Sequence, residues 1–377
     1  MNTRSGIGAP NLTLGDFLRF RNGKTSPPRA ELGAIEVFGS NGVIGKTDTA
    51  NFGEPTVVIG RVGSYCGSLR YSPNPSWVTD NAIACQTKQA DDLRFWYFAL
   101  QTLGLNSRSS GSGQPLLNQT VLAQIPFVPP ALPERRAIAE VLGVLDDKIA
   151  ANAKLGSVSE RLLLTEVQQR WLGDSGAHTV SILDLFEVGR SLPSPNGASP
   201  VYLGMKNLPE DSMGIKRWEH RTARGGARFT NGDTLLARIT PCLENRKTGY
   251  VDFLDAGEIG IGSTEFIVLR SRDGIPSPLS YFVAVDSQFR NFAIRHMAGT
   301  SGRQRVSASD VSSYVLPAPD TEWMKGFGVR AEEQLKLMKS LRQESRTLAE
   351  LRDTLLPELM SGRLQVKDVA KTIEEVV

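Results

Sequence analysis

The stretch SGQPLLNQTVLAQIPFVPP (112–130) recurs later in the chain as SGRQRVSASDVSSYVLPAP (301–319). The two copies are 189 residues apart, which is about half of the 377-residue chain. Identical residues are few, but they come in the same order in both copies. A constant offset of this kind predicts that one structural unit is present twice.

Two further pairs of segments keep the same order. VVIGRVGSYCG (57–67) resembles TLLARITPCLE (234–244), since each is a strand-like run that ends in arginine and is followed by a turn. VTDNAIAC (78–85) likewise resembles GSTEFIVL (262–269). Each half mixes such β-like runs with glycine-rich turns and with helical patches such as LRFWYFALQTLG (93–104). We therefore predict an α+β fold for each half.

Each half ends in a long amphipathic stretch that we interpret as a helix. The first begins with LPERRAIA (132–139), and proline is tolerated in the first turn of a helix. Its apolar residues recur at the spacing of a coiled-coil seam: Ile138, Leu142, Leu145 and Ile149. The second helix has a similar seam, interrupted at Glu344: Leu337, Leu341, Leu348, Leu351 and Leu355. Ordinary core packing also produces such stripes, but two of them at matching places favour helices that pack on each other.

Two details of the first helix lead to separate predictions. Gly156 is followed by Ser157 and Glu160 at capping-box spacing, which predicts a break or kink. VLGVLDD (141–147) resembles the strand of a Walker B motif, which ends in acidic residues. Because this segment lies inside an amphipathic helix, we expect Asp146 and Asp147 to face solvent instead.

Two other segments imitate catalytic motifs. GSNGVIGKT (39–47) is close to a nucleotide-binding loop, but its first glycine is one position too early, and Gly53 and Pro55 follow where a helix should begin. We interpret it as a glycine turn. NPSW (74–77) resembles a methyltransferase motif, but serine replaces its second proline and no glycine-rich motif for S-adenosylmethionine precedes it. The sequence therefore predicts no catalytic residues.

Composition restricts the class of protein. A hydrophobic content of 40% with 22% charged residues is typical of soluble globular proteins, and the length favours two or three domains. No run approaches the roughly 18 apolar residues that span a bilayer, and the first residues lack the apolar core of a secretory signal. The three cysteines and three histidines are scattered, so we expect no metal site and a reducing, cytoplasmic location.

The distribution of charge is more informative than the net charge of +3. Residues 216–247 contain eight lysines and arginines against three acidic residues. Residues 287–309 contain four arginines and no acidic residue. Such local density suits a polyanion, although a solvated surface would give the same pattern.

Three segments resemble the specificity (S) subunits of type I restriction-modification systems. They are PPALPERRAIAEVLGVLDDKI (129–149), LRDTLLPELMSGRLQV (351–366) and the glycine turn VFGSNGVIGK (37–46). Together with the duplication, the resemblance extends over nearly the whole chain. It has two departures: Arg135 stands where glutamine is usual, and the second helix starts with PAPDTEWMKGFG (317–328), which lacks the Pro-Glu-Gln pattern.

The resemblance implies a function and partners. Each α+β unit would be a target recognition domain that recognises one half of a split DNA site. The two long helices would form an antiparallel coiled coil that sets the distance between the halves. Methyltransferase (M) subunits would bind S-adenosylmethionine and methylate adenine, and a restriction (R) subunit would bring ATP and magnesium. This chain would itself bind no cofactor and catalyse no reaction.

The expected division of the chain follows the repeat. It comprises a first recognition domain (1–132), a central helix (133–172), a second recognition domain (173–320), a C-terminal helix (321–362) and a tail (363–377).

We expect DNA contacts from basic and polar residues on the loops that occur in both copies, because such residues bind phosphates and base edges. In the first copy the candidates are Lys46, Arg61, Tyr65, Arg70, Ser107, Arg108, Ser110, Ser112 and Gln114. In the second copy they are Arg238, Asn245, Arg246, Lys247, Thr300, Ser301, Arg303, Gln304 and Arg305.

Two alternative functions belong to other classes. A coiled-coil adaptor would use its globular units to bind protein rather than DNA. The recognition part of a fused methyltransferase or nuclease would need several hundred further residues that carry the missing catalytic motifs. Salt-sensitive, sequence-dependent binding to DNA together with an M subunit separates the adaptor from the specificity subunit.

Overall fold

The structure is a computed structural model that describes residues 12–89, 91–108, 115–173, 178–195, 199–222, 225–300 and 302–368. It forms two compact units, Met1–Lys148 together with Thr347–Val377, and Ile149–Arg346. Both long helices contribute residues to both units, so the division into five segments stays a prediction. No helix in the described ranges is both long enough and apolar enough to cross a membrane.

The described residues of the first unit form two sheets and three short α-helices before the long helix. Its elements are α1 (Leu14–Phe17), β1 (Leu18–Asn22), β2 (Ile35–Gly39), β3 (Gly42–Thr47), β4 (Thr56–Gly60), β5 (Leu69–Ser72), β6 (Ser76–Val78), β7 (Ala82–Thr87), α2 (Leu93–Gln101) and α3 (Gln119–Ala123). The larger sheet has the strand order β1-β7-β4-β5, and the smaller has the order β3-β2-β6. The long helix α4 (Leu132–Val167) follows, and a π-helical turn (Gln168–Leu172) continues it.

The second unit repeats this plan. Its elements are β8 (Thr179–Ser181), α5 (Ile182–Leu185), β9 (Phe186–Val188), β10 (Val201–Leu203), β11 (Glu219–His220), β12 (Arg228–Phe229), β13 (Asp233–Ala237), β14 (Thr248–Tyr250), β15 (Gly260–Gly262), β16 (Phe266–Ser271), α6 (Leu279–Val285), α7 (Ser287–Arg295), α8 (Ala308–Ser312), β17 (Val315–Pro317) and α9 (Thr321–Met360). Its described strands form sheets with the orders β14-β13-β16-β9, β11-β10-β15-β12 and β17-β8.

The two central sheets agree strand by strand and in register, which confirms the α+β fold in two tandem copies. In the first unit Val57 on β4 lies opposite Cys85 on β7. In the second, the residues aligned with them, Thr234 on β13 and Leu269 on β16, lie opposite each other. A slip of one residue would turn every side chain of a strand to the other face, so the matching register requires the same core in both copies.

GSNGVIGKT (39–47) forms the end of a β-hairpin rather than a nucleotide-binding loop. Strands β2 and β3 are antiparallel, and Ser40 and Asn41 form the turn between them. Gly42, with φ of +99°, adopts a backbone conformation that favours glycine. Residues 12–89 are all described, and the next regular element after β3 is the strand β4, so the turn does not lead into a helix as a nucleotide-binding loop does.

Helix α2 fills the core of the first unit. Phe95, Trp96 and Phe98 are fully buried there and pack with residues from both long helices: Ile138, Leu142, Leu356 and Leu359. Burying one such aromatic side chain contributes about 1.5–3 kcal/mol.

Arg135, at the position where the resemblance predicts glutamine, has a specific partner in this core. Its guanidinium forms an ion pair with Asp92, whose side chain is 1% exposed, and lies over the rings of Phe17 and Trp96. Arginine therefore supplies a buried carboxylate with an ion-pair partner that a neutral glutamine would not provide.

Helix α4 is continuous through Gly156, so the predicted break is wrong. Glu160 does not cap a helix; its carboxylate accepts hydrogen bonds from the Met213 N–H and the Tyr281 hydroxyl, each at 2.8 Å. Burial raises the pKa of Glu160 despite these two donors. The side chain therefore fastens the helix to the globular part of the second unit.

Helices α4 and α9 pack against each other in antiparallel orientation. The later a residue comes in α4, the earlier its partner comes in α9. Within the first unit Asp146 forms an ion pair with Arg352 at 2.6 Å. Within the second unit Asn152 Nδ2 donates to Glu344 Oε2 at 2.7 Å, and Glu166 contacts Trp323 and Arg330. Glu344, which interrupts the predicted seam, thus partners the buried Asn152.

Three predictions about this pairing need correction. Leu337 and Leu351 lie off the seam, with 38% and 37% of their surface exposed. The residues one position later, Met338 and Arg352, make the contacts instead. Asp146 does not face solvent, because its side chain is 19% exposed and is bound to Arg352.

Candidate nucleic-acid interface

An arginine follows the last residue of β4 and sits in a fixed backbone frame. The Arg61 N–H donates to the Asn81 carbonyl at 3.0 Å, and the Arg61 carbonyl accepts from the Leu117 N–H at 2.9 Å. The guanidinium donates to the Asp80 carbonyl at 3.2 Å and remains partly exposed. Three chain segments therefore meet at this strand end and position the arginine at the surface.

The end of β13 repeats this frame. The Arg238 N–H donates to the Glu265 carbonyl, and the Arg238 carbonyl accepts from the Val306 N–H, both at 3.0 Å. The repeat aligns Arg238 with Arg61, Glu265 with Asn81 and Val306 with Leu117. The same three segments therefore present an arginine at the same place in both units.

In the first unit, the tip of the β2–β3 hairpin lies against the loop that follows Arg61. The Ser40 hydroxyl donates to the Val62 carbonyl at 2.8 Å, and the Ser68 hydroxyl donates to the Ser40 carbonyl at 2.7 Å. Tyr65 on this loop is 50% exposed. The docking therefore brings two polar turns onto one surface, and the ring of Tyr65 is accessible to a base or sugar.

Arg70 and Lys46 differ in how they relate to this surface. Arg70 is exposed, and its Nε would lie 3.1 Å from a Cβ added at Gly42, so it flanks the tip of the hairpin. Lys46 is also exposed but lies four residues along β3, roughly 13 Å from Gly42 at the usual rise of a strand. The structure thus places Arg70 beside the turn and Lys46 away from it.

A 3₁₀ turn, Leu105–Arg108, packs on the same loop. A Cβ at Gly67 would come within 2.5 Å of the Asn106 nitrogen, so glycine permits this close approach. The Ser107 hydroxyl closes its own turn by donating to the Gly104 carbonyl at 2.8 Å, whereas Arg108 is exposed. The candidates Ser110, Ser112 and Gln114 lie outside the described residues.

The corresponding loop of the second unit is two residues longer and more basic. Asn245 and Arg246 are exposed on it, and Arg246 has a positive φ of +64°. Arg290 donates to the carbonyls of Leu243 and Glu244, the latter at 3.0 Å. Burial and the neighbouring charge of Arg246 lower the pKa of Arg290. Two arginines therefore face each other at this loop.

Arg290 and Glu265 belong to the site but were not among the predicted residues. Arg290 lies in the acid-free segment 287–309, so the charge pattern pointed to its region. Glu265 had no comparable signal, because its arginine partners lie 27 and 40 positions away.

Lys247 is partly withdrawn from the surface. Its ammonium donates to the Met205 carbonyl at 3.2 Å and lies 3.5 Å from Glu210, and only 18% of the side chain is exposed. The geometry supports a structural role for this lysine more than a DNA contact.

The segment after α7 completes the second site. Thr300 and Arg303 are exposed, and the Arg303 N–H donates to the Thr300 carbonyl at 2.9 Å. The Gln304 carbonyl accepts from the Thr240 N–H at 3.0 Å, and this bond ties the segment to the turn after Arg238. Ser301 is outside the described residues.

Arg305 is held by a carboxylate. Its Nε lies 2.9 Å and its Nη2 2.8 Å from the two oxygens of Glu265. These bonds lower the pKa of Glu265 and raise that of Arg305, so the pair stays ionised at neutral pH.

The described residues form no group of three or more His, Cys, Asp or Glu side chains that could hold a metal ion. The surface instead offers guanidinium, hydroxyl and amide groups on loops around two equivalent strand ends. Such groups bind phosphates and base edges.

Comparison with known proteins finds chains that are similar over much of this sequence. Residues 10–158 match a family model described as a type I restriction modification DNA specificity domain. The type I restriction enzyme EcoEI specificity subunit of Escherichia coli is 30% identical over 304 residues, 74% of this chain and 50% of that protein. The EcoAI specificity subunit of the same organism is 25% identical over 301 residues, 75% of this chain and 51% of that protein. The chain spans about half the length of these relatives.

A solved structure shares the fold. The S subunit of a type I restriction-modification system from M. genitalium superposes with a TM-score of 0.55 over 92% of this chain and 95% of that one. Its sequence is 18% identical, so it is evidence for the fold alone.

Proposed function

We propose that this chain is a specificity subunit of the type I restriction-modification family and recognises a bipartite DNA site for such a complex, because residues 10–158 match that family's DNA specificity domain and two specificity subunits are similar over about three quarters of the chain. Each recognition domain would bind one half-site. The long antiparallel helices would set the distance between the two halves. The units differ in sequence, so the two half-sites need not be alike.

The duplicated frame around Arg61 and Arg238 is the observation that supports this proposal most strongly. Duplication gives one chain two equivalent DNA-recognition units, which a repressor obtains by forming a dimer. Arginine at a fixed strand end suits recognition of guanine, whose O6 and N7 accept two hydrogen bonds in the major groove.

We propose that the chain is not itself catalytic and directs partner subunits. Methyltransferase subunits would bind S-adenosylmethionine and methylate an adenine in each half-site. A restriction subunit would bind ATP and magnesium. This chain would contribute recognition of DNA and a scaffold for these partners.

Mapping methylated adenines in genomic DNA from cells with and without this chain tests the proposal. We expect one split motif to lose methylation when the chain is removed and to regain it on complementation. Methylation that is unchanged in both strains would contradict the proposal and favour a coiled-coil adaptor.

A further inference from the structure

In the second recognition domain, the carboxylate of Glu265 lies between the guanidinium groups of Arg238 and Arg305, on the surface that we propose contacts DNA. Glu265 directly precedes β16, and its oxygens accept hydrogen bonds from Nε and Nη2 of Arg305 at 2.8 to 3.0 Å. The same carboxylate lies 3.7 Å from Nε of Arg238. All three side chains remain partly exposed, at 24% for Glu265, 40% for Arg305 and 31% for Arg238.

At the equivalent described positions, the first recognition domain has no such cluster, although its backbone there is equivalent. Asn81 stands at the position of Glu265, as judged by its hydrogen bond from Arg61. Leu116 stands at the position of Arg305, because Leu116 bridges to Val62 as Arg305 bridges to Ile239. The cluster of Glu265, Arg238 and Arg305 is therefore specific to the second recognition domain. It is not part of the fold that the two copies share.

The geometry restricts what Arg305 can contact. A guanidinium carries five N–H donors in a rigid plane, and Glu265 occupies the edge formed by Nε and Nη2. Nη1 is further oriented toward the Arg303 carbonyl at 3.4 Å. The remaining N–H donors of Arg305 lie at the outer end of the guanidinium, where they match the O6 and N7 acceptors of a guanine. A phosphate at the same donors would be repelled by the adjacent carboxylate, whereas an uncharged guanine would not.

We propose that Glu265 is a specificity-determining positioning residue of the second recognition domain. It holds Arg305 in the orientation for base contact, and its negative charge opposes binding to DNA that lacks the matching base. This inference rests on the proposed function, since it assigns a role within one of the two half-sites.

Electrostatics gives the proposal a measurable consequence. An arginine that is bound to a carboxylate neutralises less phosphate charge than a free one, so it releases fewer counterions when DNA binds. Glu265→Gln removes the negative charge and replaces one of the two acceptor oxygens by an NH₂ donor, which weakens the hold on Arg305. The freed arginines would then bind phosphates of any sequence.

The test uses the full chain assembled with its methyltransferase subunits and the split motif found by methylation mapping. Dissociation constants are measured at several salt concentrations for three duplexes: the intact motif and two duplexes with base changes in one half-site each. The matched control is Glu332→Gln, which removes the same charge from an exposed ion pair with Lys336 on α9. Arg305→Ala identifies the half-site that the second domain recognises.

We expect Glu265→Gln to lose selectivity on the order of tenfold at the half-site affected by Arg305→Ala. Its binding should also become more sensitive to salt, by a slope of about 0.9 for each additional phosphate that the freed arginines neutralise. Selectivity at the other half-site should stay at the wild-type value, which shows that the variant is folded.

Two results with Glu265→Gln would overturn the role of Glu265. One is selectivity equal to that of Glu332→Gln, and the other is an equal loss at both half-sites. A wild-type complex without selectivity at either half-site would overturn the proposed function, and the role of Glu265 with it.

Discussion

Arg246 adopts the left-handed backbone conformation that Gly67 adopts in the first recognition domain, with φ of +64° and +83°. Each residue lies two positions before the first residue of the edge strand, and the bonds Gly60 N–H to Ser68 O and Ala237 N–H to Lys247 O match. A residue with a Cβ loses roughly 1–2 kcal/mol in this conformation. Strained residues of this kind cluster at functional sites, which agrees with a DNA contact for Arg246.

Replacing Arg246 by glycine should therefore change stability and affinity in opposite directions. We expect Arg246→Gly to raise the free energy of unfolding by about 1 kcal/mol, because the backbone strain is relieved, and to weaken binding of DNA. Urea denaturation and DNA titration measure the two effects. Arg246→Ala keeps the strain and should lose affinity without an increase in stability. Undiminished DNA binding by the glycine variant would refute a contact from Arg246.

The buried ion pair of Arg135 and Asp92 makes a second prediction. Arg135→Gln should lower the free energy of unfolding by about 3 kcal/mol, because the buried carboxylate of Asp92 then loses its ion-pair partner. Adding Asp92→Asn should recover much of the loss, since the buried charge is then gone. Denaturation of the wild type, both single variants and the double variant gives the coupling energy. A double variant that shows the sum of the two single effects would argue against direct pairing.

Glu160 makes the stability of the second unit depend on pH. Burial raises its pKa above the ordinary value of 4.5, so the folded state binds this proton more tightly than the unfolded state. The protonated Glu160 therefore stabilises the folded state. This contribution is complete below pH 4.5 and is lost as the pH rises through the folded-state pKa of Glu160. Glutamine is neutral, and its amide can still accept from Met213 and donate to Tyr281.

We therefore expect Glu160→Gln to become more stable relative to the wild type as pH rises from about 4.5 toward about 7.5. Urea denaturation across this pH range measures the difference in the free energy of unfolding between the two proteins. The contributions of all other titrating groups cancel in this difference. Glu332→Gln should show little change across this range, because Lys336 lowers the pKa of Glu332 and the titration of this carboxylate therefore lies mainly below pH 4.5. A difference that does not change with pH would contradict the assigned environment of Glu160.

The repeat, the turns and the helices were predictable from the sequence, because each is indicated by a pattern within a continuous stretch of residues. Aligning VVIGRVGSYCG (57–67) with TLLARITPCLE (234–244) placed Arg61 and Arg238 at equivalent strand ends, and the strand pairing confirmed the register. The glycine pattern at 39–47 indicated a turn, and the hairpin confirmed it. Periodicity located both helices, but the apolar pattern of the second was too irregular to separate Leu337 from Met338.

Contacts between distant residues were not predictable. Arg135 meets Asp92 across 43 positions, and Arg305 meets Glu265 across 40. Residue type and spacing along the chain do not encode such pairs. The left-handed Arg246 was likewise hidden, because arginine rarely signals a positive φ as glycine does. These positions distinguish the two recognition domains from each other.

Selection of binding sites from a library of random duplexes by the assembled complex tests the central claim most directly. We predict that the wild-type chain selects one split motif, that Arg61→Ala relaxes one half of it, and that Arg238→Ala relaxes the other half. Each substitution should reduce discrimination by about 1–3 kcal/mol, the value of an arginine contact to a base. Relaxation of the same half by both variants, or selection of no motif by the wild type, would contradict recognition of one half-site by each domain.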